Sequence, residues 1–375
     1  MGISLSNFAI FSAPLYIGGL MDGFGFSERQ AGSISTVEIG SIAGVCLLLS
    51  GTLSRIPLRY LAMTGAVLIL AANLVTLLLD SYLSILIIRI IAGVGAGACL
   101  AATSALLSRM ADPDRVMGMM LMINTVLMVI ALTLMGYAKA HWMFGGFILL
   151  FTVVVLLSLP LIFFLPKQSI TLSPIGDQVS AGLHSNRMLG VLGVSLLFVF
   201  CLIEGSIWSF SERSGTNLGI SDGENGLLLA LAQASGLLGA AAAAFYGDRI
   251  SRRYPVVVGI LLIGSAGMTI YQTTFQLVYA ASLCIFSFGF FLSFPYLVGA
   301  CARLDKHGRW AARANGINML GAATAPLVAA NIVSSYNYHS LGTFCLVLAA
   351  ICLGMSMVFD LLNGRKTLRA VVEIG

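Results

Sequence analysis

Charged residues are scarce in this sequence. Asp, Glu, Lys and Arg make up only 9% of its 375 residues, whereas 58% are hydrophobic. A soluble domain carries about 25% charged residues, because its surface must face water. So few charges cannot cover the water-facing surface of a chain this long. The composition therefore predicts an integral membrane protein whose surface mostly faces lipid.

Signals for bound metals, nucleotides and nucleic acids are also lacking. The seven cysteines occur singly in or beside apolar runs, without CxxC or His-rich spacing, which indicates neither a metal site nor a disulfide framework. No Gly-x-x-x-x-Gly-Lys-Ser/Thr motif occurs, and the basic residues form short clusters rather than a groove with interleaved aromatics. No Ser/His/Asp set lies at one depth. We therefore predict no enzyme, no cofactor, no metal site and no nucleic-acid partner.

Long apolar runs dominate the chain instead. A helix needs about 20 apolar residues to cross a bilayer, because every backbone polar group must be bonded within the segment. Twelve such runs occur, and the first has no basic region before it, so we expect a spanning helix there rather than a signal peptide. The predicted spans are 3–23, 30–51, 59–79, 82–107, 115–137, 143–165, 188–211, 225–246, 255–274, 277–301, 312–334 and 340–361.

The basic residues predict the orientation of these spans. With the N-terminus placed in the cytoplasm, sixteen of the 20 Lys and Arg residues fall on the cytoplasmic side. Arg29, Lys139 and Arg213 fall outside, and Arg89 lies within a span. A miscounted helix would mix the later loops, so this separation supports both the count and the orientation. We expect both termini in the cytoplasm and a bacterial inner membrane as the location.

The chain divides into two similar halves. Residues 24–65 align without a gap on residues 218–259, with nine identities in 42 positions, and both copies place a basic turn between two apolar spans. The longest polar connection, 166–187, separates six spans from six. The predicted domains are an N-terminal six-helix bundle (1–165), a cytoplasmic linker (166–187), a C-terminal six-helix bundle (188–363) and a cytoplasmic tail (364–375).

The basic turn of the second copy, within residues 243–253, resembles the cytoplasmic signature Gly-x-Leu-Ala-Asp-Arg-x-Gly-Arg-Arg of the major facilitator superfamily. The first copy is less similar, because Ser54 stands in place of the aspartate. In that family the aspartate and arginines hold neighbouring helices together in one conformation. The resemblance covers essentially the whole chain and implies an all-α fold of two pseudo-symmetric six-helix bundles. It also implies a conformational latch at Arg55, Arg59, Asp248, Arg249, Arg252 and Arg253.

A second motif lies in the fourth span. Residues 89–97 read Arg-Ile-Ile-Ala-Gly-Val-Gly-Ala-Gly, which resembles the family's helix-four motif Arg-x-x-Gln-Gly-x-Gly-Ala-Ala, with Ala92 in place of the glutamine. Gly93 and Gly97 lie on one helix face, which permits close helix contact. An arginine in an apolar span costs about 2.5–3.5 kcal/mol on insertion scales. Arg89 is therefore expected to face a wet cavity or a partner anion, unless it snorkels to the outer end.

Two acids share the depth of Arg89. Glu38 lies about ten residues inside the outer end of the second span, and Glu204 about nine residues inside that of the seventh. Membrane-embedded acids are a common device for proton relay, and a structural hydrogen bond is the alternative for each. The family's cavity is lined by helices 1, 4, 7 and 10, which favours Glu204 and Arg89 over Glu38. We predict all three as proton-coupling candidates, and Asp22, at the outer rim, as a solvated end residue.

Polar and aromatic residues within the spans are candidates for the substrate cavity. Packing and interfacial positions are the alternatives for the aromatic ones. The predicted cavity residues are Tyr16, Trp208, Gln233, Phe294, Tyr296, Asn315 and Asn318.

These features predict a secondary active transporter of a small organic solute that works by alternating access and draws on the proton gradient. Drug–proton antiporters of the family carry a motif ending in Gly-Pro in helix five, and the fifth span here has none. This disfavours a typical multidrug exporter and leaves uptake and efflux open. A non-coupled facilitator, or a transport-inactive sensor or partner protein, is the alternative. The expected partners are the lipid bilayer and the solute, with the protein a monomer.

Overall fold

The computed structural model describes residues 2–49, 56–107, 113–163, 187–247, 249–304 and 309–372, and its regular elements are α-helices. Within these ranges, the described side chains are those of all residues except 2, 3, 113–118, 121, 187, 302, 309, 311, 312, 315 and 364–372. The prediction of an all-α membrane protein is confirmed. The predicted linker, apart from its last residue, lies outside the described residues.

Twelve helices follow one another along the described part of the chain. Ten of them are long and apolar enough to cross a membrane. In chain order the helices are α1 (Gly2–Phe11), α2 (Ala13–Phe24), α3 (Glu28–Leu49), α4 (Leu58–Thr76), α5 (Tyr82–Leu107), α6 (Pro113–Phe163), α7 (Arg187–Asn217), α8 (Asp222–Tyr246), α9 (Arg253–Gln272), α10 (Gln276–Ala302), α11 (Arg309–Ser335) and α12 (Tyr338–Val372).

Two irregular helices complete the predicted number of spans. Helices α1 and α2 form one span with a bend of 57°, where Pro14 has no N–H to continue the helix. Helix α6 has 51 residues, far more than one crossing needs. Its backbone leaves the helical region at Trp142 and Met143, so it forms two arms, before and after that kink. Counted this way, the helices give the twelve predicted spans.

The loops between the helices define the two faces of the bundle. Residues 25–27, 77–81, 218–221, 273–275 and 336–337, with the kink of α6, lie on the side that the basic residues predict to be outside. We call this side the predicted outer face.

Small residues bring the helices close together. On α5, a Cβ at Gly93 would collide with the carbonyl oxygen of Glu38, and one at Gly97 would lie 2.8 Å from the Cβ of Val45. The predicted close contact of the fourth span is therefore confirmed, and its partner is α3. Between the halves, α3 packs on α11, α2 on α7, and α6 on α8. At the last of these contacts, a Cβ on Gly136 would lie 2.6 Å from the Cα of Gly226.

Candidate functional site

Arg89 lies inside the N-terminal half and is 1% exposed. It faces α4 and α3, and its guanidinium Nη1 lies 3.6 Å from Oε1 of Glu38. The guanidinium also donates hydrogen bonds to Asn73 Oδ1 (3.1 Å), the Ala72 carbonyl (3.1 Å) and the Thr76 hydroxyl (2.5 Å). Arg89 therefore does not snorkel to the surface: α4 supplies its hydrogen bonds, and the nearest anion is Glu38.

The α4 partners of Arg89 were not predicted from the sequence. Asn73 and Thr76 are polar residues three positions apart in an apolar span, so they lie on one face of the helix. Both are buried. A buried arginine needs several acceptors, because each unpaired N–H is costly in an apolar interior. That requirement is the signal by which the pair could have been found.

A small cavity of about 10 Å³ lies between Tyr16, Glu38 and Arg89. The Tyr16 hydroxyl and the Arg89 Nε each have no hydrogen-bond partner among the described groups. The Tyr16 ring packs between Phe144 and Phe147, with both centroids 5.7 Å away. The volume matches a single water molecule, which would satisfy polar groups that the protein leaves unpaired. Tyr16 thus lies with the Glu38–Arg89 pair inside the N-terminal half.

Glu204 lies on α7, apart from this pair. It is partly exposed, and no described group forms an ion pair or hydrogen bond with its carboxylate. One turn further along α7, Trp208 Nε1 donates to the Phe11 carbonyl at the bend between α1 and α2 (3.1 Å), and its ring stacks on Phe286. The structure therefore brings Glu38 and Arg89 together, while α7 carries an unpaired acid and an aromatic contact to the other half.

Two further cavity candidates make contacts within the C-terminal half. The Tyr296 hydroxyl donates to the Ala243 carbonyl of α8, 3.1 Å away. The Cys201 thiol of α7 donates to Asn318 Oδ1 of α11, 3.0 Å away. Each contact joins neighbouring helices of one half, as a packing role requires.

The remaining cavity candidates are Phe294, Gln233 and Asn315. Phe294 stacks on Phe290, with ring centroids 5.2 Å apart. Gln233 is buried on α8. The side chain of Asn315 lies outside the described residues. Among the cavities lined by described residues, Tyr296 borders one and Tyr16 another.

The residues of the predicted latch are described only in part, because Asp248 and Arg55 lie outside the described residues. The Arg59 guanidinium lies 3.6 Å from the centroid of the Phe163 ring. The Arg249 guanidinium lies 5.0 Å from that of Phe245. Both arginines thus stack on aromatic faces, which attract cations.

Arg252 and Arg253 border a cavity of about 460 Å³ within the C-terminal half. The cavity lies between α7, α9, α10 and α12, on the side opposite the predicted outer face. Arg303 and Asp360 also line it. Basic residues therefore predominate over acidic ones among the described residues that line this cavity.

A cluster of five charged residues joins the halves at the predicted outer face. Lys139 Nζ lies 2.6 Å from Glu212 Oε1, 2.9 Å from Asp222 Oδ1 and 2.9 Å from Asp22 Oδ2. Asp22 Oδ1 also accepts a hydrogen bond of 2.6 Å from Arg213. Asp22 is an exposed end residue, as expected, with 39% of its side chain exposed, but it also pairs with two cations, which the sequence did not predict. We call these five residues the outer charge cluster.

The ends of four spans build the outer charge cluster. Asp22 lies in the last turn of α2, and Lys139 near the kink of α6. Glu212 and Arg213 lie near the end of α7. Asp222 is the first residue of α8, where the helix dipole favours a carboxylate. Asp22 and Lys139 thus come from the N-terminal half, and the other three residues from the C-terminal half.

Sequence reasoning missed the cluster because each charge lies close to a predicted span end, where a charged side chain needs only water. In the structure, however, the side chains of Lys139 and Glu212 are only 2% and 0% exposed. The available signal was that outer charges occur together at the ends of spans one, five, seven and eight.

Further polar contacts between the halves lie near the same face. Arg29 at the start of α3 donates to the hydroxyls of Ser334 and Ser335 at the end of α11, 2.8 and 2.9 Å away. Two turns into α3, the Thr36 hydroxyl accepts from the backbone N–H of Leu327 (3.1 Å). The halves are thus joined by polar groups on both sides of the bundle at the predicted outer face.

Comparisons with known proteins agree with this architecture. The profile of the Major Facilitator Superfamily matches residues 1–302 and 194–371. Among solved structures, the nucleoside transporter NupG is 13% identical, with a TM-score of 0.71 over 96% of this chain and 98% of its own. The peptide transporter POT is 14% identical, with a TM-score of 0.72 over 96% and 94%. A D-xylose–proton symporter is 18% identical, with a TM-score of 0.71 over 94% of each chain.

Comparison with curated protein sequences gives no match. At these identities the solved structures establish a shared fold, while the profile spans nearly the whole chain. The two overlapping profile matches also agree with the repeat in the sequence. The chain therefore belongs to the major facilitator superfamily, a family of membrane transporters rather than of enzymes.

Proposed function

We propose that this protein is a secondary active transporter of a small organic solute that works by alternating access. The observation that carries the proposal is the outer charge cluster, which joins the two halves across their boundary. Lipid-embedded helices do not need charges to stay together, because packing of small residues suffices. Ion pairs between halves can be exchanged for hydration when water enters, so they suit a face that opens and closes.

Proton coupling is the second part of the proposal. Glu38 lies buried beside Arg89, and Glu204 lies unpaired among the described groups on α7. Membrane-embedded acids of this kind commonly carry protons. We propose that Glu204 or Glu38 binds the coupling proton, while Arg89 adjusts the affinity of Glu38. One of the similar structures is named as a proton symporter, which supports this reading. The proposed location is a bacterial inner membrane, with both termini in the cytoplasm and the protein a monomer.

The test is solute flux into proteoliposomes under an imposed pH gradient. The names of the similar structures suggest nucleosides, peptides and D-xylose as the first solutes. We expect flux that rises with the gradient, and we expect Glu204→Gln or Glu38→Gln to abolish this dependence. Asp80→Asn, in an exposed loop, is the matched control and should leave the dependence unchanged.

Two other results of the flux experiment would contradict different parts of the proposal. If both glutamine variants keep gradient-driven flux, the assignment of the proton to these acids is wrong. Flux without any gradient dependence would instead identify a facilitator. A facilitator is the second candidate function. One observation favours it: Arg89 has the hydrogen bonds that a purely structural arginine needs.

A further inference from the structure

Glu212 is the most deeply buried acid of the outer charge cluster. Its side chain is 0% exposed, and its Oε1 lies 2.6 Å from Lys139 Nζ. Its other oxygen, Oε2, has no hydrogen-bond partner in the part of the chain that the structure describes. That oxygen lies against Gly18 of α2, where a Cβ would collide with it. The charge of Glu212 is therefore balanced chiefly by one ammonium group.

The boundary between the halves passes through this ion pair. Lys139 belongs to α6 of the N-terminal half, whereas Glu212 belongs to α7 of the C-terminal half. If the predicted outer face opens, Lys139 moves away together with Asp22, its other partner in the same half. The C-terminal half then keeps two carboxylates, Glu212 and Asp222, whose oxygens lie within 4.8 Å of each other. Two like charges at that distance disfavour full ionisation of both.

We propose that Glu212 is a proton-binding site, and that the proton and the Lys139 ammonium are alternative ligands of its carboxylate. In the closed state the Lys139 ammonium is paired with the Glu212 carboxylate. In the open state Lys139 has left, and Glu212 takes one proton from the outside water. Closing re-forms the ion pair and returns that proton to the water. The inference rests on the proposed function, because it requires the halves to separate at this face.

The other ionisable groups around Glu212 do not replace Lys139 in this role. Arg213 adjoins it on α7 and pairs with Asp22 in the closed state; its charge acts on the Glu212 carboxylate, but no described ion pair or hydrogen bond joins the two groups. On α10, the Tyr279 hydroxyl donates to the Ser211 carbonyl, 2.8 Å away. The remaining ionisable groups near this site are Asp222 of α8, Tyr338 of α12 and, beside Tyr338, Glu28 of α3; each carries a negative charge or none, so none of them can balance a carboxylate. Among the described residues, Lys139 alone forms an ion pair with Glu212.

Exchange of one proton makes opening depend on pH. The open state binds one more proton than the closed state, so acidification favours the open state. For a single proton, the ratio of open to closed molecules changes by up to about tenfold per pH unit. This places a pH-dependent step at the predicted outer face, distinct from the Glu38–Arg89 pair and from Glu204.

The test measures the distance between the halves as a function of pH. Spin labels carried by non-canonical amino acids at Ser81 and Tyr336, both exposed at the predicted outer face, leave the native cysteines in place. The full-length protein is reconstituted in lipid nanodiscs, and pulsed electron resonance records the distance distribution from pH 5 to 8. We expect the long-distance population to grow as the pH falls.

Three variants separate this site from other titrating groups. Glu212→Gln should lose the pH dependence, because glutamine cannot exchange a proton. Glu224→Gln is the matched control on α8 and should keep it, since glutamine also supports the capping box with Ser221. Lys139→Gln should also lose the growth of the long-distance population with falling pH. A closed state without the ammonium must itself hold Glu212 protonated, so opening no longer takes up a proton.

Other results of this experiment would contradict either the proton site at Glu212 or the proposed function. If opening of the unsubstituted protein is independent of pH, or responds to Na⁺ at constant pH instead, the proton site is wrong while alternating access stands. If the face never opens, with or without solutes and at any pH, the proposed function itself fails. A wild-type response that persists in Glu212→Gln would also refute the assignment to Glu212.

Discussion

Single buried residues carry most of the polar chemistry of this protein. Arg89 is 1% exposed and bonded to three groups on α4. Lys139 is 3% exposed and lies among three carboxylates. The two cations differ in one respect. The partners of Arg89 all belong to its own half, whereas two of the three partners of Lys139 belong to the other. Arg89 therefore stabilises a bundle, and Lys139 joins two bundles.

The hydrogen bonds of Arg89 make Asn73 important for stability. Replacing Asn73 by Leu removes an acceptor and leaves a buried guanidinium N–H unpaired, which costs about 1–3 kcal/mol. We expect Asn73→Leu to lower the midpoint of thermal unfolding in detergent clearly below that of the unsubstituted protein. Asn331→Leu, at an exposed position of α11, is the control. Equal midpoints for the two variants would show that Asn73 does not stabilise Arg89.

At the scale of helices, the spans were predictable because apolar length is a local property of the sequence. The close contact made by Gly93 and Gly97 was predictable because the spacing of two glycines along a helix is also a local property. The outer charge cluster was not, since Lys139 and Glu212 are 73 positions apart in sequence. Their contact depends on how α6 and α7 are placed in three dimensions. The bend between α1 and α2 was not predicted either, because Pro14 lies in an otherwise continuous apolar run.

The packing of α5 on α3 gives a prediction at this scale. A side chain at Gly97 would meet the Val45 Cβ at 2.8 Å and the Ile42 carbonyl oxygen at 2.9 Å. Overpacking of this kind costs about 1–3 kcal/mol, so Gly97→Val should lower both the yield of folded protein and its unfolding temperature. Gly44→Val on α3 is the control, since a Cβ there meets nothing within 4 Å. If both substitutions were equally harmful, close approach at Gly97 would not be the cause.

At the scale of the whole molecule, the two halves meet through α2, α3 and α6 on one side and α7, α8 and α11 on the other. The hydrogen bonds of Arg29 and the outer charge cluster close the predicted outer face at separate places. The resemblance seen in the sequence identified the family and the two bundles. The predicted cavity residues Tyr296, Asn318 and Phe294 make their contacts within the C-terminal half, because packing between helices, which the sequence does not specify, decides where such side chains point.

The central claim is that the halves must separate at the predicted outer face during transport. Arg29→Cys and Ser335→Cys place thiols on α3 and α11, where the native side chains form a hydrogen bond of 2.9 Å. A short bifunctional methanethiosulfonate reagent joins them, and a reductant releases them. Solute flux into proteoliposomes should stop after cross-linking and return after reduction, while each single cysteine variant keeps its flux under the same treatment. Undiminished flux through the cross-linked protein would contradict the account.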